Sequence, residues 1–154
     1  MSLGKVEGIY ICPKRGEPTV LIEQAHVVPG MGIEGDRYFI RHRMTNPASK
    51  LGQEITLIEM EAIEAICHED RVIITPGQTR RNIITRGISL NDLVDQTFRI
   101  GTIQLRGIRL CEPCNYLASR TDPRILHSLV HRGGLRAEII TEGIIHINDI
   151  ISTA

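Results

Sequence analysis

The chain has 154 residues, no formal net charge at pH 7, 42% apolar residues and only 3% aromatic ones, with no tryptophan. That length supports a single domain, residues 1–154, around a real hydrophobic core, and the core has to be built from isoleucine, leucine and valine. The balanced charge excludes a global field that would draw the protein onto nucleic acid or a membrane surface, and so few aromatic rings argue against binding single strands by base stacking.

Neither a signal peptide nor an apolar run long enough to span a bilayer is present. Four cysteines in such a chain point to free thiols in a reducing, cytoplasmic setting. Lys5, Lys14 and Lys50 are the only lysines among 18 basic residues. The rest are arginines, which suit bidentate contact with phosphate or carboxylate.

Lys5 to Ile11 reads as a strand with little polar face, Cys12 to Pro18 as a turn rich in Pro and Gly, and Thr19 to Ala25 as the returning strand of a hairpin. Cys12 beside that turn is expected to be structural. Val28 to Arg37 is glycine-rich and ends in Gly35-Asp36-Arg37. Its spacing is not a dinucleotide fingerprint, and no long helix follows. Asp36 is placed either to fix the turn through nearby backbone amides or to meet a ligand there. The basic run Arg37 to Pro47 is expected to be a solvated loop or a flap.

Gln53 to Ile58 alternates as a strand with Ile55 and Leu57 on one face. From Glu59 to Glu69, the spacing of Met60, Ile63, Ile66 and Cys67 predicts an amphipathic helix. Cys67 falls on its apolar stripe, and Glu59, Glu61, Glu64 and Glu69 form its wet face. The stretch Thr75 to Thr85 carries a Pro76-Gly77 turn, two adjacent arginines and Asn82 entering a strand. Arg80 and Arg81 cannot both face one ligand from a regular strand, whereas from the preceding loop they can. Arg81 and Asn82 suit an anionic, hydrogen-bonding ligand such as a phosphate. Gly87 to Val94 reads as a turn with one helical turn, and Gln96 to Gly101 as a further strand.

The chemistry gathers at Arg106-Gly-Ile-Arg-Leu-Cys-Glu-Pro-Cys114. Ile103 to Leu110 predicts a strand that Pro113 must end, presenting Cys114 on a turn. Alternation puts Arg109 and Cys111 on one face. A guanidinium near a thiol favours the thiolate, the form that attacks electrophiles and binds metals. Three other readings of Cys111-x-x-Cys114 compete with this one. A structural zinc site needs two further ligands, and only His127 and His131 form a short pair. A thioredoxin-like motif belongs near the start of a βαβ unit, and simple burial of both thiols needs no chemistry at all.

Asn115 to Arg120 reads as a short helix. Asp122-Pro123 looks like an N-cap with proline at the first helical position, followed by an inner face of Ile125, Leu126, Leu129 and Val130 that ends at Gly133-Gly134. Leu135 to Thr141, Gly143 to Ile147 and Ile150 to Ile151 are expected to close the fold as a β-meander. Many short strands with two or three short helices predict a mainly β (α+β) protein, a closed or nearly closed β-barrel.

Four motifs in this order, Gly32-Ile-Glu-Gly-Asp-Arg37, Pro76-Gly-Gln-Thr-Arg-Arg-Asn82, Leu110-Cys-Glu-Pro-Cys114 and His131-Arg-Gly-Gly-Leu-Arg-Ala137, resemble a MOSC domain. That is the β-barrel module named after the C-terminal domain of molybdenum cofactor sulfurases. The resemblance spans nearly the whole chain and implies a stand-alone, bacterial-type member. It matches the family's characteristic Pro-Cys pair to Pro113-Cys114, with Cys111 as an addition found in part of the family. It implies that Cys114 either ligates molybdenum in a bound pterin cofactor (molybdopterin) or carries sulfur as a persulfide. Molybdenum-bound relatives reduce N-hydroxylated compounds. The family's Asn-bearing segment, often Glu-Asn, is here Arg81-Asn82, which would place positive charge beside a cofactor phosphate.

Under the cofactor reading, Arg81, Asn82, Arg109, Arg132 and Arg136 would hold the pterin phosphate and polar edge, with Asp36 beside them, and a separate electron-transfer protein would supply electrons to reduce a small-molecule substrate. Under the sulfur-carrier reading, Cys114 accepts sulfur from a cysteine desulfurase and Cys111 resolves the persulfide. A third reading is a non-catalytic adaptor for a small anion or a partner protein. No lysine has a convincing Schiff-base setting, so pyridoxal phosphate is not expected.

Overall fold

A computed structural model describes residues 3–39 and 53–153. The basic run beyond Phe39, residues 40–47, lies outside them. Eleven strands are present among the described residues: β1 (Leu3–Ile11), β2 (Val20–Ile22), β3 (Gln24–Val28), β4 (Gly32–Ile33), β5 (Ile55–Glu59), β6 (Ile83–Arg86), β7 (Thr97–Ile100), β8 (Ile103–Leu110), β9 (Leu135–Ile139), β10 (Gly143–His146) and β11 (Ile150–Ser152). Three α-helices lie wholly within the described residues, α1 (Met60–Asp70), α2 (Asn115–Arg120) and α3 (Ile125–Ser128), with 3-10 turns at Gly77–Thr79 and Leu90–Leu93.

The strands run β11-β7-β8-β9-β5-β6-β1, and β1 pairs back onto β11, so the sheet closes into a barrel; β2 continues it outside the ring. A ring with an odd number of strands cannot alternate direction all the way round. The exception is β5–β6, the parallel pair, and a parallel connection needs a crossover, which α1 supplies. The second sheet, β10-β3-β4, is not paired into the ring, but Ala25, Val27, Ile33 and Ile145 pack into the same buried cluster as the barrel interior.

Alternation builds the interior. Ile55 and Leu57 of β5, Ile83 of β6, Phe98 and Ile100 of β7, Ile103 and Leu105 of β8, and Leu135, Ala137 and Ile139 of β9 share one buried cluster. On β1 a bulge between Val6 and Gly8 shifts the register, so that both Val6 and Ile9 face inward. The outward-facing Ile58 and Ile84 belong to a second cluster with Ile63 and Ile66 of α1, Leu117 of α2 and Ile125 of α3. The helices therefore cover the outer face of β5 and β6. Gly107 interrupts β8 because the 3-10 turn lies against it: a Cβ there would collide with the Leu93 carbonyl.

The mainly β barrel expected from the sequence is present, with four corrections in detail. The returning strand after the first turn is two strands: β2 stays on β1 while β3 pairs with β10 in the second sheet. The closing segments are not a meander, since β9 lies between β8 and β5, β10 leaves for β3, and β11 lies between β7 and β1. Cys67 is exposed rather than on the buried stripe. It follows the buried Ile66 directly and is therefore rotated about 100° round the helix from it. In α3 and the turn after it, Ile125 and Leu129 are buried while Leu126 and Val130 are exposed, because the helix is too short to bury both rows.

Candidate functional site

Thr56 and Arg136 of β5 and β9, and Asn82 just before β6, lie side by side at the wall of the barrel, next to the second cluster. Thr56 is the register partner of Arg136. The Asn82 amide joins the strands: its Oδ1 accepts from the Thr56 backbone N–H at 3.0 Å and from the Thr56 hydroxyl at 3.2 Å, and its Nδ2 donates to the Tyr10 carbonyl at 3.0 Å. It thus supplies ladder bonds where β5 and β6 begin and β1 is ending.

Two loops build one wall. β8 ends in Cys111-Glu-Pro-Cys114, and the loop His131–Gly134 lies against it, with the Cys111 N–H donating to the Gly134 carbonyl at 2.7 Å. Only glycine fits this approach. A Cβ at Gly133 would strike the Cys111 carbonyl, and one at Gly134 the Leu57 carbonyl. Arg81 pins both loops from below, with Nε donating to Gly133 O at 2.8 Å and Nη2 to Cys111 O at 2.9 Å. Burial pushes this guanidinium below its ordinary range, a shift partly opposed by Cys111.

From above, the Glu112 carboxylate accepts from the His131 N–H at 2.7 Å and meets His131 Nδ1 at 2.8 Å. The His131 backbone N–H is the main cause holding Glu112 below the usual carboxylate range. As a result Cys111 is buried and Cys114, immediately before α2, is exposed.

The opposite wall comes from distant segments. Cys12 N–H donates to Asp36 Oδ1 at 2.8 Å, Arg37 N–H to Cys12 O at 2.9 Å, and Tyr38 N–H to Asp36 Oδ2 at 3.2 Å. Arg80 has a left-handed backbone (φ 62°) after the 3-10 turn and so turns into the same space as Arg81. Its Nη1 donates to Glu17 O at 2.9 Å and its Nη2 to Cys12 Sγ at 3.1 Å.

These walls enclose a cavity of about 120 Å³. Cys111, Cys114, Arg81, Asn82, Arg136 and Asp36 all line it, so six of the eight residues singled out in the sequence come together. Arg109 and Arg132 do not line it. Arg109 is the register partner of Arg136 but is exposed and lies outside the cavity lining. Arg132 turns to the helices, donating to Ser128 O of α3 and to Glu69 Oε2 of α1, each at 2.8 Å.

Cys12, Arg80 and Tyr116 also line the cavity or its mouth and were not singled out as site residues. Only Arg80, as half of an adjacent arginine pair beyond a Pro-Gly turn, carried a signal in the sequence. Two hollows adjoin the cavity, one of about 450 Å³ with which it shares Arg37, Tyr38 and Tyr116, and one of about 440 Å³ with which it shares Thr19 and Arg80.

The donor set can be tested against a pterin-bound metal. No group of three or more His, Cys, Asp or Glu among the described residues is placed to hold a metal ion, so a metal would have to arrive with most of its ligands, as it does in such a cofactor. Among the described residues, Gln53 Oε1 and Arg80 Nε are buried polar atoms without a partner, and both residues line the cavity. Two residues of its lining thus carry one acceptor and one cationic donor that are buried and unpaired among the described residues. The residues fit an anionic, hydrogen-bonding group beside a thiol.

Such a thiol-bearing, arginine-lined cleft on the outer wall of a mixed barrel defines the class. The MOSC domain family model matches residues 41–152, and the chain belongs to that family. The fold is similar to the crystal structure of the YuaD protein from Bacillus subtilis, at 19% identity over 97% of this chain and 94% of that one, with a TM-score of 0.76. It is also similar to YiiM from Geobacillus stearothermophilus, at 15% identity over 98% of this chain and 75% of that one, TM-score 0.70. YiiM from Escherichia coli matches at 14% identity over 97% and 69%, TM-score 0.67. No curated protein matches the sequence.

Proposed function

We propose that this chain binds molybdenum cofactor, with the Cys114 thiolate as the protein's ligand to the metal. The observation that carries this reading is an exposed thiol in a cavity whose Arg80 Nε and Gln53 Oε1 have no partner. Soft thiolates suit such metals. Arg80 and Arg136 would hold a phosphate or the polar edge of the ligand. Arg81 and Asn82 act one step back: Arg81 fixes the cysteine turn, and Asn82 fixes the strand ends that carry the floor. When bound, the cofactor supplies a redox centre able to take oxygen from an N-hydroxylated compound, with electrons from a separate protein.

The test is metal and pterin content after anaerobic purification from a host that makes the cofactor, with Cys114→Ala alongside. Stoichiometric molybdenum and pterin in the wild type, lost in the variant, is the expected result. Absence of molybdenum from both proteins would overturn the reading.

One observation favours a second reading: both Cys111 and Cys114 line the same cavity. In a sulfur carrier, the Cys114 thiolate attacks the outer sulfur of a desulfurase persulfide. A new S–S bond forms on Cys114, and the donor cysteine leaves as a thiolate. Cys111 then attacks the inner sulfur, forming the Cys111–Cys114 disulfide and releasing hydrosulfide, and an external dithiol restores both thiols. Intact mass after incubation with a desulfurase and cysteine should show one added sulfur on Cys111→Ala and none on Cys114→Ala, while the wild type releases hydrosulfide and ends as the disulfide. Cys111→Ala should keep the sulfur yet fail to release hydrosulfide.

A further inference from the structure

We infer that His26 is a pH-operated clasp on the cleft wall. Protonated, its imidazole ties the turn after β4 to the connection before β10; deprotonated, it must release one of them and so slacken the wall that Asp36 fastens. His26 is the middle residue of β3, whose alternation buries Ala25 and Val27 in the barrel cluster and leaves His26 on the outer face. Both ring nitrogens meet carboxylates, Nδ1 with Glu34 Oε2 at 2.7 Å and Nε2 with Glu142 Oε2 at 2.9 Å. A neutral imidazole has one N–H, so it donates to one of these carboxylates and turns a lone pair on the other. The imidazolium donates to both. The arrangement therefore suits the charged ring, and hydrogen bonding to Glu34, then to Glu142, raises its pKa above the ordinary 6.5.

Few other charges bear on this ring. Across β10, His26 faces Ile144, and the next side chain on that face, His146, turns to Asp149 at 3.7 Å. On the other side β4 offers only the buried Gly32 and Ile33. Among the described residues, Glu34 and Glu142 each form their ion pair with His26 and with no other side chain. Loss of the His26 proton thus leaves two carboxylates around a neutral ring.

One short turn carries the clasp to the cleft. The Asp36 N–H donates to the Ile33 carbonyl at 3.1 Å and Gly35 takes φ 92°, so Glu34 and Gly35 are the two corners of a β-turn. His26 holds the near end of that turn twice, through its ring and through its carbonyl, which accepts from the Glu34 N–H at 2.9 Å. At the far end the Asp36 carboxylate accepts from the Cys12 and Tyr38 N–H groups. Glu142, in turn, belongs to the connection between β9 and β10, which is tied to β8: the Ile140 N–H donates to Gln104 O, and the Gln104 N–H to the Thr141 hydroxyl, each at 2.8 Å. Protonated His26 therefore draws the cleft wall against a connection anchored on the barrel. Because the folded-state pKa lies above the unfolded one, the clasp is whole below 6.5 and is lost as pH rises through the higher folded value. None of this depends on what the cleft binds.

The experiment is an NMR titration of the full chain from about pH 5 to about pH 9. The His26 ring should titrate above 6.5, and in the double variant Glu34→Gln/Glu142→Gln its midpoint should fall back toward that value. Over the same range, exchange protection of the Cys12 and Tyr38 amides, corrected for the pH dependence of exchange itself, should drop about two- to fivefold as His26 loses its proton, the worth of exposed ion pairs. In His26→Gln the protection should stay level. A His26 midpoint at or below 6.5, or one that the double variant does not move, would overturn the clasp. Protection that stays level in the wild type, or that drops equally in His26→Gln, would overturn its hold on the cleft wall.

Discussion

The arginines beside the helices and the arginines of the cleft are the same residue put to opposite uses. On the flank of α1, Arg86 is closed by Glu7 at 2.7 Å and Glu64 at 2.8 Å, Arg124 by Asp122 at 2.7 Å, and Arg132 by Glu69 at 2.8 Å. In the cleft, among the described residues, the side chain of Arg80 meets a thiol and a carbonyl, that of Arg81 meets carbonyls, and that of Arg37 meets its neighbour's tyrosine. Positive charge on the flank is neutralised where it is made. In the cleft it is anchored through neutral groups and stays available, as an anion site requires.

The sharpest way to break this contrast is Arg81→Leu. The change leaves the Gly133 and Cys111 carbonyls without their buried donor, and should cost about 3 kcal/mol in urea unfolding. A stable variant would mean that Arg81 is not the pin beneath the cysteine turn. Next in size, Arg80→Gln should lower retention of an anionic ligand by about tenfold while leaving the melting temperature near wild type. If the fold weakens and binding does not, Arg80 belongs with the flank arginines.

A smaller effect tests the upper fastening. Glu112 is held below the ordinary carboxylate value of 4.5, so its contribution is whole above that pH and is lost as pH falls through its lower folded-state value. Wild type should therefore lose stability faster than Glu112→Gln when titrated below pH 4.5, read from the denaturant midpoint. Parallel curves would remove Glu112 from that role. Smallest of all, Glu64→Gln on the flank should barely move the melting curve, and high salt should erase the difference, since exposed pairs are screened.

Much of this was legible in the sequence where the signal is local. Ile103–Leu110 and Asn115–Arg120 fall where the apolar pattern and Pro113 put them. The partners of a strand are not local. Gly143–His146 has the same alternation whether it joins the barrel or pairs with Gln24–Val28, and the sequence therefore could not show that it leaves. In the site, Cys114 and Arg81 were readable from motif and charge. Arg109 pairs with the cavity-lining Arg136 yet stays exposed outside the cavity, because sharing a strand face does not bring a long side chain to the site. Cys12 entered through backbone clasps to Asp36 and Arg37, segments that no spacing rule connects.

The outer edge of β1 has a consequence for folding order. Its second half, from Ile9 to Ile11, is taken by β2, and its first half, from Leu3 to Lys5, by β11. The first pairing is a hairpin between neighbours, an event of about 1–10 μs. The second must wait for a strand at the far end of the sequence, a slow search through non-local contacts. Until Ile150–Ser152 docks, half of that edge stays open to foreign strands. A lesion in β11 should therefore show first as aggregation during refolding, before any loss in the finished protein.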